Sequence, residues 1–194
     1  MGFTRAQLEA FRGKTLPDLI GPDVQLLIVG INPGLLTVAV QSHFGRRGNR
    51  FYPALYRAGI VDWVIDAADG FDPADVEHLH ARGIGITNIV RRATARADEL
   101  STDELVDGAQ ALEQRVRRLQ PKVVAILGIT AYRAGFRQPK ATVGKQPESF
   151  GGAELWVVPN PSGLNAHASL DDLSAAYREV AVAAGIHPNR KPQT

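Results

Sequence analysis

The sequence predicts an α/β fold, a three-layer α/β/α sandwich built on a short, mostly parallel central sheet. The first observation behind this prediction is that short apolar runs rich in β-branched residues alternate along the chain with helix patterns. The second is that 194 residues with 44% hydrophobic content can bury one sizeable core. We therefore expect a single domain over residues 1–186, followed by a polar, proline-containing and disordered tail over residues 187–194.

Four apolar runs are typical of buried strands, because each is rich in β-branched residues and is closed by Gly, Pro or Asn. Helix patterns separate the runs, and a strand that returns through a helix joins its neighbour in parallel. Active sites of such sheets gather at the carboxyl ends of the strands. The predicted strands cover residues 24–31, 85–90, 123–127 and 155–158.

Two helices are clearly marked in the sequence. One begins at Ser101, an N-cap residue for which Glu104 completes a capping box, and it ends before Pro121. The other begins near Ser169 and carries its apolar residues on one face. Weaker helix patterns cover residues 49–58 and 73–82.

Composition excludes several classes of site and location. The chain has no cysteine, which excludes disulfides, thiol nucleophiles, zinc ribbons and cysteine-held iron–sulfur clusters. Its five histidines show no metal-ligand spacing, so we expect no metal site. No apolar run approaches the roughly 18–20 residues that span a bilayer, and the amino terminus lacks the layout of a signal peptide. We expect a cytoplasmic protein that makes no contact with a membrane.

Charge is distributed unevenly along the chain, although the net charge is only +2. Residues 43–57 and residues 133–147 each hold four Lys or Arg and no acid, whereas residues 62–77 hold six acids and no base. This pattern predicts one basic and one acidic face, as in a protein that meets phosphate on one side. The alternative is that these segments are solvated loops whose charges are scattered in space.

Two of the predicted strands end in loops that present Asn-Pro followed within two residues by Gly. They are Gly30-Ile-Asn-Pro-Gly34 and Asn160-Pro-Ser-Gly-Leu164. Proline fixes φ and glycine permits positive φ, so each loop is a rigid turn that exposes backbone N–H groups and an asparagine amide. The alternative is that both are ordinary strand-terminating turns.

An asparagine amide limits the chemistry that the first loop can perform. Asn32 cannot abstract a proton as a strong base, but it can position a water molecule. This suits a reaction whose leaving group departs largely on its own, such as cleavage of an N-glycosidic bond. Backbone donors could then stabilise the negative charge that develops on the leaving group.

The same loops resemble a known family. Gly30-Ile-Asn-Pro-Gly-Leu35, followed by Phe44 and Gly48-Asn-Arg-Phe51, is similar to the first signature of the mismatch-specific uracil/thymine DNA glycosylases, a branch of the uracil-DNA glycosylase superfamily. Residues 160–164 are similar to the second signature. The likeness extends over roughly residues 24–184 and implies a uracil-DNA glycosylase-like fold.

The resemblance implies that Asn32 orients the attacking water. It also implies that Phe44 stacks on a flipped base, although Phe44 could instead be a core residue, and that Asn88 lies near base and water, although Asn88 could instead cap its strand. Thr37 matches a variable position at the far side of the base, so tolerance for the methyl group of thymine stays open. The full implied base-binding set is Gly30, Ile31, Thr37, Phe44 and Asn88.

The second loop is implied to enter the duplex where the base has left. Leu164 would fill the gap as an apolar wedge, or would alternatively pack under its own loop. Relatives place a basic residue just after this motif, whereas Ala166 and His167 stand here, so the preference for the opposite base stays open. The implied DNA-binding residues are Asn160, Ser162, Gly163, Leu164 and Asn165. The candidate phosphate contacts are Arg46, Arg47, Arg50 and Lys145.

The expected function is therefore that of a monomeric, monofunctional DNA-repair glycosylase that needs no cofactor, because hydrolysis uses only water. Its substrate would be double-stranded DNA with uracil mispaired with guanine, and thymine and ethenocytosine are further candidate bases. One alternative is a glycosylase of broader range that also acts on single strands or deaminated purines. Another is a non-catalytic DNA-lesion binder. An unrelated α/β enzyme is disfavoured because GxSxG, GxGxxG and Walker motifs are absent.

Overall fold

The computed structural model describes residues 2–163 and 167–189, which form one five-stranded sheet with helices on both faces. Four strands are parallel, and only the edge strand β4 runs antiparallel, beside β5. The strand order is β2-β1-β3-β5-β4. The α/β class and the mostly parallel sheet predicted from sequence are confirmed. The strands are β1 (Leu26–Gly30), β2 (Ile84–Asn88), β3 (Val123–Leu127), β4 (Gly144–Phe150) and β5 (Ala153–Val158).

Successive side chains of each central strand enter two different hydrophobic clusters, because they point to opposite faces of the sheet. Leu26 and Ile28 pack with residues of α3, α4 and α7, whereas Leu27 and Val29 pack with residues of α5 and α6. Every residue of β1, β2 and β3 is buried. The helices are α1 (Arg5–Glu9), α2 (Leu35–Ala39), α3 (Phe51–Arg57), α4 (Pro73–Ala81), α5 (Thr102–Leu119), α6 (Ile129–Gly135) and α7 (Leu170–Ala183).

Helix α5 begins and ends where the sequence predicts. Ser101 accepts a hydrogen bond from the Glu104 amide, and the Glu104 side chain accepts one from the Ser101 amide, which confirms the capping box. The helix ends at Gln120, which adopts a left-handed conformation (φ 50°) directly before Pro121. Ser169 caps α7 in the same way, and α3 and α4 occupy the two segments with weaker helix patterns.

Strand β4 was not predicted from sequence, because it lacks an apolar run. It lies at the edge of the sheet, contains Pro147, and of its seven residues only Gln146 is buried. Edge strands tolerate proline and polar side chains, since one side forms no backbone ladder. The short helices α1, α2 and α6 also escaped prediction, because five to seven residues show too little periodicity.

Three residues of the predicted tail, 187–189, lie among the described residues. His187 O accepts a hydrogen bond from Arg82, and the Asn189 amide donates to Gly59 O at 2.7 Å, so residues 187–189 are held against the domain. Residues 190–194, the rest of the predicted tail, lie outside the described residues. Among the helices that the structure describes, none is both long and apolar enough to cross a membrane.

Candidate active site

A cavity of about 200 Å³ opens at the carboxyl ends of the parallel strands. Gly30 ends β1, Asn88 ends β2, Leu127 ends β3, and Asn160 follows β5 by two residues. The two Asn-Pro loops therefore meet at one site, as predicted from their positions after strands. The cavity also contacts Ile31, Asn32, Pro33, Gly34, Thr37, His43, Phe44, Arg46, Asn49, Thr94, Ala95, Arg96, Ala97 and Ser162.

The Asn32 side chain is held by its amide nitrogen. Nδ2 donates to Thr94 Oγ1 at 2.7 Å and to Arg92 O at 3.0 Å, with a longer bond to Pro33 O at 3.3 Å. Thr94 Oγ1 itself donates to Arg96 O at 2.8 Å, so it must accept from Asn32. Because every partner is an acceptor, the orientation of the amide is determined.

This arrangement leaves the carbonyl oxygen of Asn32 for the cavity. No donor among the described residues bonds to Oδ1, and the side chain is half-buried in the cavity wall. An amide oxygen in this position can accept a hydrogen bond from water but cannot take its proton. A water-positioning role for Asn32 would require such an acceptor at the cavity.

An ion pair fixes the segment that anchors Asn32. The guanidinium of Arg92 donates to both carboxylate oxygens of Glu104, at 2.5 and 3.0 Å, at the start of α5. These bonds, together with the Ser101 amide, lower the pKa of Glu104 to about 2. The carbonyl that receives Asn32 is therefore tied to the capping box of the longest helix.

Another part of the cavity wall depends on a glycine. A Cβ at Gly30 would lie 2.6 Å from Asn88 Oδ1 and 3.5 Å from Phe44 Cζ. Any larger residue at position 30 would therefore push the Asn88 amide out of place. Phe44 has a left-handed backbone (φ 56°), and its half-buried ring packs on Phe51 with centroids 4.1 Å apart. Phe44 thus both contacts the core and presents a ring to the cavity.

Asn88 is 6% exposed and is the register partner of Gly30 across β1 and β2. Among the described residues, no group forms a hydrogen bond with its side-chain amide, which contacts the cavity. The alternative of a strand-capping amide therefore gains no support from the hydrogen bonds. Thr37 is also buried and lies in the cavity wall, as do Ile31 and the backbone of Gly30.

Several residues of the cavity were not predicted from the sequence, and Thr94 and His43 are the two that form hydrogen bonds of interest. Thr94 lies in an irregular segment after β2, and no motif marks it. His43, next to Phe44, is 3% exposed, and burial lowers its pKa. His43 Nε2 lies 2.9 Å from Pro17 O, and because a carbonyl only accepts, Nε2 carries the proton of the neutral ring.

The second loop is held by residues 48–50 of the first signature. The Arg50 amide donates to Pro161 O at 3.1 Å, and its guanidinium donates to Ser162 O and Ala168 O. A Cβ at Gly163 would lie 2.8 Å from Gly48 O, so the backbones of these two residues are in close contact. The Asn160 side chain accepts a hydrogen bond from the Ser162 amide. Leu164 and Asn165, with Ala166, lie outside the described residues.

The structure separates the four candidate phosphate contacts by environment. Arg50 is half-buried and anchors the second loop, so its guanidinium faces carbonyls rather than the surface. Lys145 pairs with Glu154, and Arg47 pairs with Asp69 at 3.2 Å. Arg46 is exposed at the rim of the cavity, and no ion pair with a described residue involves it.

The expectation of separate basic and acidic faces is wrong at this site. The acidic segment lies beside the basic one, since Arg47 pairs with Asp69, and Ser42 Oγ, directly before the basic segment, donates to Ala67 O at 2.5 Å. The acidic segment therefore neighbours residues 42–47. Within residues 2–163 and 167–189, no three His, Asp or Glu side chains are grouped to hold a metal ion.

Comparison with known proteins agrees with this geometry. The family model described as the uracil DNA glycosylase superfamily matches residues 17–183. The fold is similar to the solution NMR structure of a candidate uracil DNA glycosylase from Methanosarcina acetivorans, with a TM-score of 0.57 and 19% sequence identity over 88% of this chain and 98% of that one. The family match covers both loops of the cavity and all five strands of the sheet. The chain therefore belongs to the uracil DNA glycosylase superfamily.

Proposed function

We propose that this protein is a monofunctional DNA glycosylase that flips uracil mispaired with guanine out of the duplex and hydrolyses its bond to the sugar. Membership of the superfamily indicates a DNA glycosylase activity. The observation that supports the hydrolytic mechanism most strongly is the anchored Asn32 amide, whose oxygen is left for water in a cavity of about 200 Å³. The cavity volume lies below the roughly 300–1,000 Å³ typical of sites for drug-sized ligands.

In the proposed reaction, Asn32 Oδ1 accepts a hydrogen bond from a water molecule and holds it at the anomeric carbon. The N-glycosidic bond breaks, its electron pair leaves with the base, and the water oxygen bonds to the sugar. The spare proton of the water passes to solvent or to the departing base. Because an amide is a weak base, the leaving ability of uracil and the donors around it must supply much of the acceleration.

Base recognition would use the part of the cavity wall around Gly30. Phe44 would stack on the flipped pyrimidine, and the Asn88 amide with the backbone of Gly30 and Ile31 would bond to its polar edge. Thr37, in the cavity wall, would contact the far side of the ring. Thymine and ethenocytosine are further candidate bases of the same site.

Binding to the duplex would depend on the second loop and on Arg46. Leu164, which lies outside the described residues, would fill the space that the base leaves, flanked by Gly163 and Asn165. The close contact of Gly163 with Gly48 O would hold the described part of the second loop beside the first signature. Arg46 at the rim would contact a phosphate near the flipped nucleotide.

The test is single-turnover cleavage of labelled oligonucleotides. They carry uracil opposite guanine, uracil opposite adenine, thymine opposite guanine, ethenocytosine opposite guanine, or uracil in a single strand. We expect an abasic product from the guanine-paired uracil, formed faster than from the single strand. Equal rates on both would favour the glycosylase of broader range. Tight binding without product on any of the five would favour the lesion-binding alternative and contradict the proposal.

A further inference from the structure

Strand β2 is an edge of the sheet, and its outer side is only partly covered. Leu19 pairs with Ile86 there through two backbone bonds of 2.9 and 2.8 Å. Ile89, by contrast, donates inward to Gly30 O of β1. Alternate residues of a strand direct their backbone groups to the same side, so the carbonyl of Asn88 points outward like that of Ile86. The Asn88 carbonyl therefore needs a hydrogen-bond donor that no strand provides.

Arg115 of α5 supplies that partner from a buried position, with 8% of the residue exposed. One guanidinium nitrogen donates to Asn88 O at 2.9 Å, and the other donates to Thr87 Oγ1 at 2.8 Å. Asp18 lies 3.5 Å from the same guanidinium and accepts a bond of 2.7 Å from Thr87 Oγ1. We refer to Arg115, Asp18 and Thr87 as the strand-end clamp.

Covering an edge carbonyl requires only a hydrogen-bond donor. The strand-end clamp also buries charged groups, which costs electrostatic free energy. Burial lowers the pKa of Arg115, and the carboxylate of Asp18 opposes this effect. A buried ion pair seldom adds net stability compared with an apolar replacement, but its fixed geometry can select one arrangement. The planar fork of arginine bonds two acceptors at set directions, which the single ammonium of lysine cannot do.

The position of the Asn88 amide, which follows the carbonyl that the strand-end clamp holds, is sensitive to small shifts. Asn88 Oδ1 lies only 2.6 Å from the position that a Cβ at Gly30 would occupy, so the amide has room beside the cavity only because residue 30 has no side chain. A rotation of the Asn88 peptide plane would turn the amide away from that path.

We propose that Arg115, held by Asp18, is a positioning residue that directs the Asn88 amide into the cavity and thereby supports base recognition. This inference rests on the proposed function, in which Asn88 bonds to the polar edge of the base. Arg115 acts through Asn88 and touches neither water nor base. Replacing Arg115 should therefore lower the rate of base excision only in a protein that retains the Asn88 amide.

A double-mutant cycle tests this dependence. The single-turnover rate on guanine-paired uracil is measured for the wild type, Arg115→Lys, Asn88→Ala and the double variant. We expect Arg115→Lys to lower the rate on the order of tenfold in the wild type and to leave it unchanged in the Asn88→Ala background. Equal losses in both backgrounds would overturn the proposal. Arg117→Lys, on an exposed position of the same helix, is the matched control.

A second measurement does not depend on turnover. The side-chain NH₂ resonance of Asn88 is assigned by its loss in Asn88→Ala and is then followed by NMR. We expect it to shift in Arg115→Lys and in Asp18→Asn, and to stay in place in Arg117→Lys. Asp18→Asn weakens the hold on Arg115 while it retains an acceptor for Thr87, and it replaces Arg115→Lys if that variant does not fold.

The two measurements separate the two proposals. If the wild type excises no base, the proposed function fails, and the NMR shift still decides the positioning role. If the wild type excises uracil but the Asn88 resonance does not move, only the positioning role fails.

Discussion

At the residue scale, the site contains polar side chains that use some of their hydrogen-bonding atoms within the protein and leave the others for the cavity. The nitrogen of Asn32 is used on Thr94 and Arg92, and its oxygen is not used by any described residue. The absence of a side chain at Gly30 leaves room for the Asn88 amide. These details explain why asparagine and glycine stand in the first loop.

Asn32→Ala should abolish most of the turnover and leave DNA binding unchanged. The substitution removes the acceptor that holds the water, and misplacing a reacting group costs about 10²-fold in rate. Single-turnover rates and binding to a guanine-paired uracil duplex are compared with Gln110→Ala, an exposed site on α5. Loss of binding equal to the loss of rate would contradict the assignment.

Thr94→Val should reduce the rate while Thr94→Ser retains most of it. Valine has the shape of threonine without the hydroxyl that accepts from Asn32 and donates to Arg96 O, so the amide of Asn32 could rotate. Serine keeps the hydroxyl. The measurement is the same single-turnover assay, and an equal effect of the two substitutions would show that the methyl group matters instead.

His43 should make the protein less stable in mildly acidic solution. Its pKa is lowered in the folded state by burial, so the unfolded chain binds the proton more readily near the ordinary value of about 6.5. The contribution of neutral His43 to folding stability is complete above a pH of about 6.5. It is lost as the pH falls through the pKa of His43 in the folded state. The Tm of the wild type should therefore drop more between pH 7 and pH 5 than that of His43→Gln. Parallel curves would contradict this.

At the element scale, the sequence predicted the parts that repeat a strong local pattern. The four parallel strands and the capped ends of α5 and α7 were visible because apolar runs and capping boxes are local signals. The edge strand β4 and the partners of Asn32 were not visible. Strand β4 has a polar composition, and Thr94 approaches Asn32 only because β1 and β2 lie side by side. Contacts distant along the chain leave no periodic signal.

Gly108→Ala should destabilise the fold, although alanine is more favourable than glycine within a helix by about 1 kcal/mol. A Cβ at this position would lie 2.7 Å from Ile89 O, so α5 would have to move away from the end of β2. Overpacking of this kind costs about 1–3 kcal/mol. Urea unfolding should give a lower free energy of unfolding than for the wild type, whereas Gln110→Ala should change it little. A stability gain would show that α5 shifts freely.

At the scale of the whole molecule, three of the four candidate phosphate contacts already have partners within the protein. Arg50 binds carbonyls of the second loop, Arg47 contacts Asp69, and Lys145 contacts Glu154. The acidic segment lies beside residues 42–47 and weakens the attraction of that side for phosphate. Recognition should therefore depend more on the flipped base than on charge.

The salt dependence of DNA binding tests this view. Each phosphate contact adds about 0.9 to the slope of log K against log salt concentration. Arg46→Ala should lower the slope by about 1 because Arg46 is exposed at the cavity rim. Arg47→Ala should lower it less, because Asp69 already pairs with Arg47, and Lys145→Ala should leave it unchanged. A slope that fell equally in all three variants would mean that the ion pairs open on DNA and that the whole basic surface takes part in binding.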